Sequence, residues 1–385
     1  MLILFIGKGQ SGKTSTLRNF TGKKFMADID STIGINMTRM MCNNDWIEAE
    51  GGDELFDQLQ DAAANLNIEN TGSEEQLKRK NSEKQENKKL SVGVKKITEP
   101  STFPDLSKKQ ETLVKYGETM FEQKETGYSR PLFSLVVWDF AGQKAFHAMH
   151  QIFFSKAALY SLVFNLREVL DEESRNDAIE DLKFWLNSKS LYAPNANLFL
   201  IGTHLDHVER DDLKQINKIV QLLISKRKDL VYNGTFCFFP VDNTKPGSTD
   251  ELKENISKVV LKDKEFLRPV PLRYTWFYEN VKDKETISFT MALEEAKKLF
   301  MTPKELVEVL RFLNDRGLIK YFEQTEELKK MIVIDPEWLA KALSLFIFDA
   351  DLHAEKEDMS RIELEKHLKD GIFERTVFEE VLLSV

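Results

Sequence analysis

Cysteine is scarce in this chain. Two residues in 385, Cys42 and Cys237, are too few and too far apart to build a disulfide framework or a zinc site. That usage fits a reducing compartment. Basic charge is in deficit: 54 Lys and Arg stand against 63 Asp and Glu, a formal net charge of −9. The balance excludes a general nucleic-acid binder, which needs a basic footprint, and a polybasic membrane anchor. Long apolar runs are missing as well. No stretch approaches the roughly 18 residues of a membrane-spanning helix, and the opening run Met1–Ile6 is too short for a signal-peptide core and has no basic leader. A cytoplasmic protein without a transmembrane segment is expected.

Hydrophobic residues at 42% suffice for a sizeable core in a chain long enough for two domains. The apolar run 1–6 reads as a buried parallel strand, followed by Gly7 and a helix over Lys13–Phe20. A second strand is expected over 33–42. From about Asn67 to Arg130, Lys, Glu, Gln, Asn and Ser dominate, and so polar a stretch buries too little apolar surface to offset its ordering entropy. A long disordered insertion at about 51–130 is expected, with a short helix at Glu54–Leu66. Strands resume at Leu132–Asp139, Leu159–Asn165, Leu198–Ile201 and Thr235–Val241, alternating with helical patterns that include Leu213, Ile216, Val220 and Leu223 on one face. Ser248 and Glu251 have the spacing of a capping box. The alternation predicts a doubly wound parallel sheet.

The pattern changes near Lys264. Thr302-Pro303-Lys304-Glu305 is a capping box with proline at the first helical position. Leu306, Leu310 and Leu313 follow on one face, and Gly317 ends the helix. Two short strands, Leu318–Phe322 and Met331–Ile334, and a helix opened by Asp335-Pro336 complete a winged-helix-like α+β unit. Trp276, Phe277 and Tyr278 near the junction are expected to be mostly core.

Gly7-Lys8-Gly9-Gln10-Ser11-Gly12-Lys13-Thr14 matches G-x-x-x-x-G-K-[ST] directly after a buried strand and at the start of a helix. Main-chain N–H groups of Gly7, Gly9, Gln10, Ser11, Gly12 and Ser15 converge on phosphate at such a site, the helix adds its positive end, Lys13 neutralises the terminal phosphates and the Thr14 hydroxyl binds Mg²⁺. Asp139, at the end of a strand in Trp138-Asp139-Phe140-Ala141-Gly142-Gln143, is a second Mg²⁺ candidate. Gly142 has no Cβ to hold it away from a γ-phosphate, and Gln143 can orient an attacking water. Thr32, between the first helix and the second strand, is the candidate for a third Mg²⁺ position that depends on the γ-phosphate. After Leu198–Ile201 comes Gly202-Thr203-His204-Leu205-Asp206. The Asp206 carboxylate can accept from N1–H and the 2-amino group of guanine, a donor pair adenine lacks. Thr203 and His204 stand where Asn and Lys are common in this motif, so the Asn amide bond is expected to be lost. Asn243, beyond the last strand, is the candidate for a main-chain contact to the guanine O6. His147 with His150, and His204 with His207, have the i, i+3 spacing of zinc ligands but no completing Cys or carboxylate cluster. Arg18, Arg39 and Arg167 read as surface residues, and none is placed as an arginine finger.

Together these motifs resemble the Ras superfamily and, within it, the Roc domain of Roco proteins. Arg311-Phe312-Leu313-Asn314-Asp315-Arg316-Gly317 and Val333-Ile334-Asp335-Pro336-Glu337-Trp338-Leu339 resemble the COR domain that follows Roc. The resemblance implies a Ras-like P-loop domain over 1–263 and a partial COR domain over 264–385. It implies binding of GTP or GDP with Mg²⁺, slow GTP hydrolysis, and signalling through protein effectors or regulators or through COR-mediated homodimers. The chain stops at Val385 inside a helix-like pattern and reads as a fragment without the later, dimer-associated part of COR, so self-association of this chain is not expected. The competing readings are a P-loop ATPase, a nucleotide-bound scaffold without turnover, and an adaptor indifferent to nucleotide.

Overall fold

A computed structural model describes residues 1–27, 32, 34–42, 46–48, 133–224, 227–264 and 270–345. The expected insertion with its helix at Glu54–Leu66, and the stretch beyond 345, lie outside the described residues.

Five strands run parallel. β1 (Leu2–Ile6) lies between β4 (Phe133–Phe140) and β5 (Ala158–Asn165), and β6 (Leu198–Thr203) and the short β7 (Phe239–Pro240) extend the sheet beyond β5. β1, β4 and β6 are buried along their whole length. This is what near-continuous apolar runs covered on both faces require. β2 (Ile35–Cys42) and β3 (Trp46–Glu48) pair antiparallel on the far side of β4, giving the order β3-β2-β4-β1-β5-β6-β7. The sheet is therefore Ras-like and mixed, not wholly parallel, because β2 pairs antiparallel with both β3 and β4.

Helices cover both faces. α1 (Lys13–Phe20) has the bounds expected from the sequence. α2 (His147–Phe153), α3 (Leu166–Leu170), α4 (Arg175–Tyr192), α5 (Arg210–Ile224) and α6 (Asp250–Val260) follow in chain order. Two expectations fail here. The strand predicted over Thr235–Val241 shrinks to two residues, because the Asn233 side chain accepts from the main-chain N–H groups of Thr235 and Phe236 and turns the chain instead. Ser248 does not cap α6. The cap position is Thr249, while the Ser248 hydroxyl accepts from the Asp242 N–H at 2.7 Å.

The second sheet is built from β8 (Thr286–Ser288), β9 (Lys320–Tyr321) and β10 (Met331–Val333) in the order β8-β10-β9. With α7 (Leu272–Val281), α8 (Phe289–Lys298), α9 (Pro303–Asp315) and α10 (Pro336–Leu345) the chain order is helix, strand, helix, helix, strand, strand, helix. The capping box is complete, with Thr302 and Glu305 bonded reciprocally, and Leu306, Leu310 and Leu313 are buried. Trp276, Phe277 and Tyr278 are all core.

The two sheets share one hydrophobic core. Arg39 of β2 donates to the Tyr278 hydroxyl at 2.7 Å, so it is an internal contact rather than the surface residue expected. The Met37 N–H donates to the Glu337 carboxylate at 2.5 Å, on an edge of β2 that pairs with β3 only from Met40 onward. Lys320 of β9 is buried and donates to the Phe153 carbonyl at 3.1 Å. Burial pushes its pKa down to about 7, with Asp315 opposing. Gly317 turns the chain at φ +71°, and a Cβ there would lie 2.7 Å from Leu2 Cδ1. Gly317→Ala should therefore cost about 1–2 kcal/mol from the left-handed backbone alone, seen as a fall of a few degrees in the melting midpoint. An unshifted midpoint would show that the turn is not strained.

Candidate nucleotide-binding site

The site is assembled at the carboxyl ends of β1, β4 and β6, where a doubly wound sheet leaves a crevice. After β1 the loop twists through positive φ at Gly7 (142°), Gln10 (62°) and Gly12 (87°). Gly7 admits nothing larger, since a Cβ would lie 2.2 Å from the Val163 carbonyl oxygen. Gln10 holds a left-handed conformation that a non-glycine residue adopts only against strain. Such a run of turns directs successive N–H groups into one hollow at the amino end of α1, the geometry of an anion nest.

Lys13 is buried in that hollow. Its Nζ donates to the carbonyls of Gly7 at 3.1 Å and Lys8 at 2.8 Å, and burial pulls its pKa down to about 8, with the charge of Asp139 opposing. Asp139, 2% exposed, faces it from the end of β4. Burial raises the Asp139 pKa against the opposing effects of Lys13, Thr14 and Thr32. The Thr14 hydroxyl donates to Asp139 Oδ2, the Thr32 hydroxyl lies 3.3 Å from the same oxygen and the two hydroxyls are 3.3 Å apart. Asp139 Oδ1 is buried with no partner. One carboxylate with a bare oxygen and two converging hydroxyls form a hard-oxygen donor set that fits Mg²⁺, an ion usually held by one or two carboxylates together with substrate phosphates and water. Among the described residues no group of three or more His, Cys, Asp or Glu could hold a metal.

Gly142 closes on the phosphate loop. Its carbonyl accepts the Gly9 N–H at 2.9 Å, and a Cβ on it would lie 2.2 Å from Gly9 N and 2.5 Å from Lys13 Nζ. Gln143 follows in extended conformation at the head of the short 3-10 turn Lys144–Phe146, and its Oε1 is buried without a partner. α2 comes next. His147 stacks on Phe184 of α4 with centroids 4.4 Å apart, and His150 stacks on Trp185 at 5.3 Å. His150 is fully buried and burial holds its pKa well below the usual range. Phe146 and Phe153 are core, whereas Ile152 is exposed.

On the other side of the loop stands Thr203, at the end of β6. Its side chain is fully buried and turned into the protein. The hydroxyl donates to the Ser11 carbonyl at 2.6 Å and has the Phe164 carbonyl at 3.1 Å. The link between this segment and the phosphate loop is thus present, made by a hydroxyl instead of an amide. His204 adopts a left-handed conformation (φ 59°) with Nδ1 2.9 Å from the Thr203 hydroxyl, and burial lowers its pKa. That turn places Asp206 on the surface beside His207, 3.1 Å away. Asn243 reaches the base of α1: its Nδ2 lies 3.3 Å from the Thr16 hydroxyl and 3.5 Å from the Gly12 carbonyl. Its side chain braces the loop. Ser15, the third residue of α1, completes the set. Sequence reasoning missed Lys8, whose Nζ pairs with Glu168 at 3.0 Å and ties the phosphate loop to α3. It also missed Asn19, which donates to the Lys245 carbonyl at 2.9 Å. Neither belongs to a spacing motif.

Comparison with known proteins agrees with this arrangement. A model of the Ras family matches residues 2–123, the model for "Ras of Complex, Roc, domain of DAPkinase" matches 76–206, and that for "C-terminal of Roc, COR-A domain" matches 272–383. The chain is 29% identical over 222 residues to a probable serine/threonine-protein kinase, pats1, of Dictyostelium discoideum, covering 56% of this chain and 7% of that one. It is 29% identical over 228 residues to leucine-rich repeat serine/threonine-protein kinase 1 of Mus musculus, covering 55% of this chain and 10% of the relative. The chain thus corresponds to a small part of these relatives' lengths. A solved structure of Methanosarcina barkeri Roco2 RocCORdC bound to GDP superposes with a TM-score of 0.58 at 17% identity, over 99% of this chain and 82% of that one.

The inward placement of Thr203 is testable in the nucleotide-free protein. Thr203→Val keeps the shape and strands two buried carbonyls, so stability should fall by about 1–3 kcal/mol in denaturant unfolding. An unchanged value would mean that the hydroxyl is free to face a ligand. With a Ras-like Roc fold that assembles a phosphate loop, a carboxylate and a purine-side loop around one crevice, and a COR-A segment behind it, the chain belongs to the Roco family.

Proposed function

We propose that this chain binds GTP and GDP with Mg²⁺, hydrolyses GTP slowly, and passes the nucleotide state to its second unit. The division of labour we assign is 1–263 for the nucleotide domain and 264–385 for the COR-like domain.

The observation that carries the reading is a pair of opposite buried charges that do not meet. Lys13 donates only to carbonyls, and Asp139 keeps an oxygen without a partner. A buried ammonium and a buried carboxylate are each costly unless compensated. A phosphate chain with Mg²⁺ supplies the anion to one and the cation to the other. Lys13 and the N–H groups of Gln10 and of Gly12 to Ser15 then bind the phosphates, while the Gly9 N–H, expected among them, is already donated to the Gly142 carbonyl; Thr14, Thr32 and Asp139 would hold the metal, which neutralises charge on the phosphates when bound. The buried free Oε1 of Gln143 is an acceptor suited to orienting a water toward the γ-phosphate. Attack by that water breaks the terminal anhydride bond and leaves GDP and phosphate. With no arginine placed at the phosphates, turnover on the order of 10⁻⁴ to 10⁻² per second is expected. Asp206 selects guanine through the N1–H and 2-amino donors.

The readout rests on how the second unit touches both flanks of the site. Gly34, two residues after Thr32, lies against α10, where an added Cβ would be 3.3 Å from the Ala340 carbonyl. Lys320 and Asp315 meet Phe153 and Ser155 at the end of α2. Loss of the γ-phosphate releases Thr32 and Gly142, and both flanks relax toward these contacts.

Lys13→Ala should abolish tight nucleotide binding, measured with a fluorescent GDP analogue. GDP affinity equal to that of the wild type would refute the assignment, and competition by ATP as effective as by GDP would replace guanine selection with an ATPase reading. Gln143→Leu should slow single-turnover phosphate release by at least tenfold while GDP affinity stays within about twofold. If the wild type itself releases no phosphate from bound GTP, the chain is a nucleotide-bound scaffold.

A further inference from the structure

We infer that Lys320 is a positioning residue for the nucleotide site, acting from the second sheet by holding the carboxyl end of α2, the helix that leads directly from Gln143. The inference rests on the functional reading above and assigns the contact through which the second unit acts.

Lys320 is 2% exposed. Its Nζ donates to the carbonyl of Phe153, the last residue of α2, at 3.1 Å. It also stands 5.0 Å from the Trp138 ring centroid and 5.6 Å from that of Phe153. Trp138 precedes Asp139 in β4, and the two rings pack edge to face at 5.5 Å. Within reach of one side chain from the second unit therefore lie the end of the helix that follows Gln143 and the residue beside the candidate metal carboxylate. The last carbonyls of a helix lack intrahelical partners and carry partial negative charge, so a lysine is well matched there, and two aromatic faces add to the match. The N–H donor persists whether Nζ is charged or neutral. Asp315, the carboxylate nearest in effect, acts on Lys320 from the end of α9, while its own main-chain carbonyl accepts from Ser155 at 3.5 Å.

The arrangement is sensitive to movement of α2. No carboxylate pairs with Lys320 at ion-pair distance among the described residues, so a shift of α2 away from β9 strands a buried Nζ, which costs more than the bond itself contributes. α2 is seven residues long and begins five residues after Gly142. Gly142 in turn closes on Gly9 and Lys13. Fixing the far end of so short a helix fixes the segment that covers the phosphate side. Lys320 thus holds that cover shut, and loosening it opens the route by which a bound diphosphate leaves.

The test uses the whole 385-residue chain and a fluorescent GDP analogue with Mg²⁺. Lys320→Met retains the apolar stem and removes the donor. Release of the analogue should quicken by about tenfold, the scale of one hydrogen bond to a charged group, without a lower melting midpoint, because an apolar replacement of a buried charge is frequently neutral or stabilising. A merely structural lysine predicts the reverse, a lower midpoint and unchanged release. Release within twofold of wild type, from a wild type that binds the analogue, overturns the role of Lys320 alone. A wild type that binds no analogue overturns the functional reading and this inference with it. Should the variant not fold, hydrogen exchange in the wild type decides. When EDTA removes Mg²⁺ from the GDP-loaded chain, amides of 147–153 and of 320–321 should lose protection together, and loss confined to 147–153 overturns the coupling.

Discussion

A buried ammonium and a buried carboxylate set across one hollow organise this protein. Asp139 lies near the end of β4, and Lys13 opens α1 after the loop that follows the neighbouring parallel strand β1. Each is held by groups too weak to neutralise it: carbonyls for Lys13, hydroxyls for Asp139. Burial moves each away from its ordinary pKa in the direction that disfavours charge. Desolvation of this kind is costly, and a fold retains it where a ligand bearing both charges restores the balance. Ligand binding then contributes directly to the stability of the folded state.

The sheet supplies the rigidity that such a hollow needs. β1 is central and fully buried, so the phosphate loop starts from the least mobile part of the molecule. Thr203, one sheet position beyond β5, ties the loop to β6 through the Ser11 carbonyl, and Asn19 and Asn243 tie α1 to the segment after β7. Lys8 adds a bond to α3. These ties act on the loop after β1 and on the start of α1. Thr32, Gly142 and Gln143 belong to another part of the site, reached through the antiparallel β2 and the short α2, and it is this part that the second unit touches.

Much of this was legible in the residues because the signals were local. The phosphate loop, the bounds of α1, Asp139 at the end of β4 and the capping box at Thr302 each depend on neighbours within a few positions. Thr14 and Asp139 are grouped by motif and Thr32 by its place between α1 and β2, and the structure brings their oxygens together. Some of what the sequence did not reveal depended on partners distant in sequence, and some on side chains that bond a near neighbour's main chain instead, as Asn233 and Ser248 do. Thr203 turns inward because Ser11 and Phe164 offer carbonyls there. Arg39 is an interface residue because Tyr278 lies 239 positions away. Ser248 serves Asp242 and leaves the cap to Thr249. The β8 strand escaped notice because three residues, Thr286–Ser288, show no usable alternation and gain their identity only from pairing with β10.

Two of the contacts that the second unit makes with the first differ in kind. At β2 the Glu337 carboxylate satisfies a main-chain N–H on a strand edge that β3 leaves open, a contact that also protects an otherwise exposed edge. At α2 a buried Nζ meets a helix terminus between two aromatic rings. The first can exchange for water at small cost, whereas the second cannot, since water has no ready access to a residue 2% exposed. Helix α10, strand β9 and the segments they meet share one core that includes Ile35 and Phe153, so both contacts are backed by apolar packing. Of the two, the one at β2 is the more easily given up, because its donor can turn to water while the buried Nζ at α2 has no such exchange.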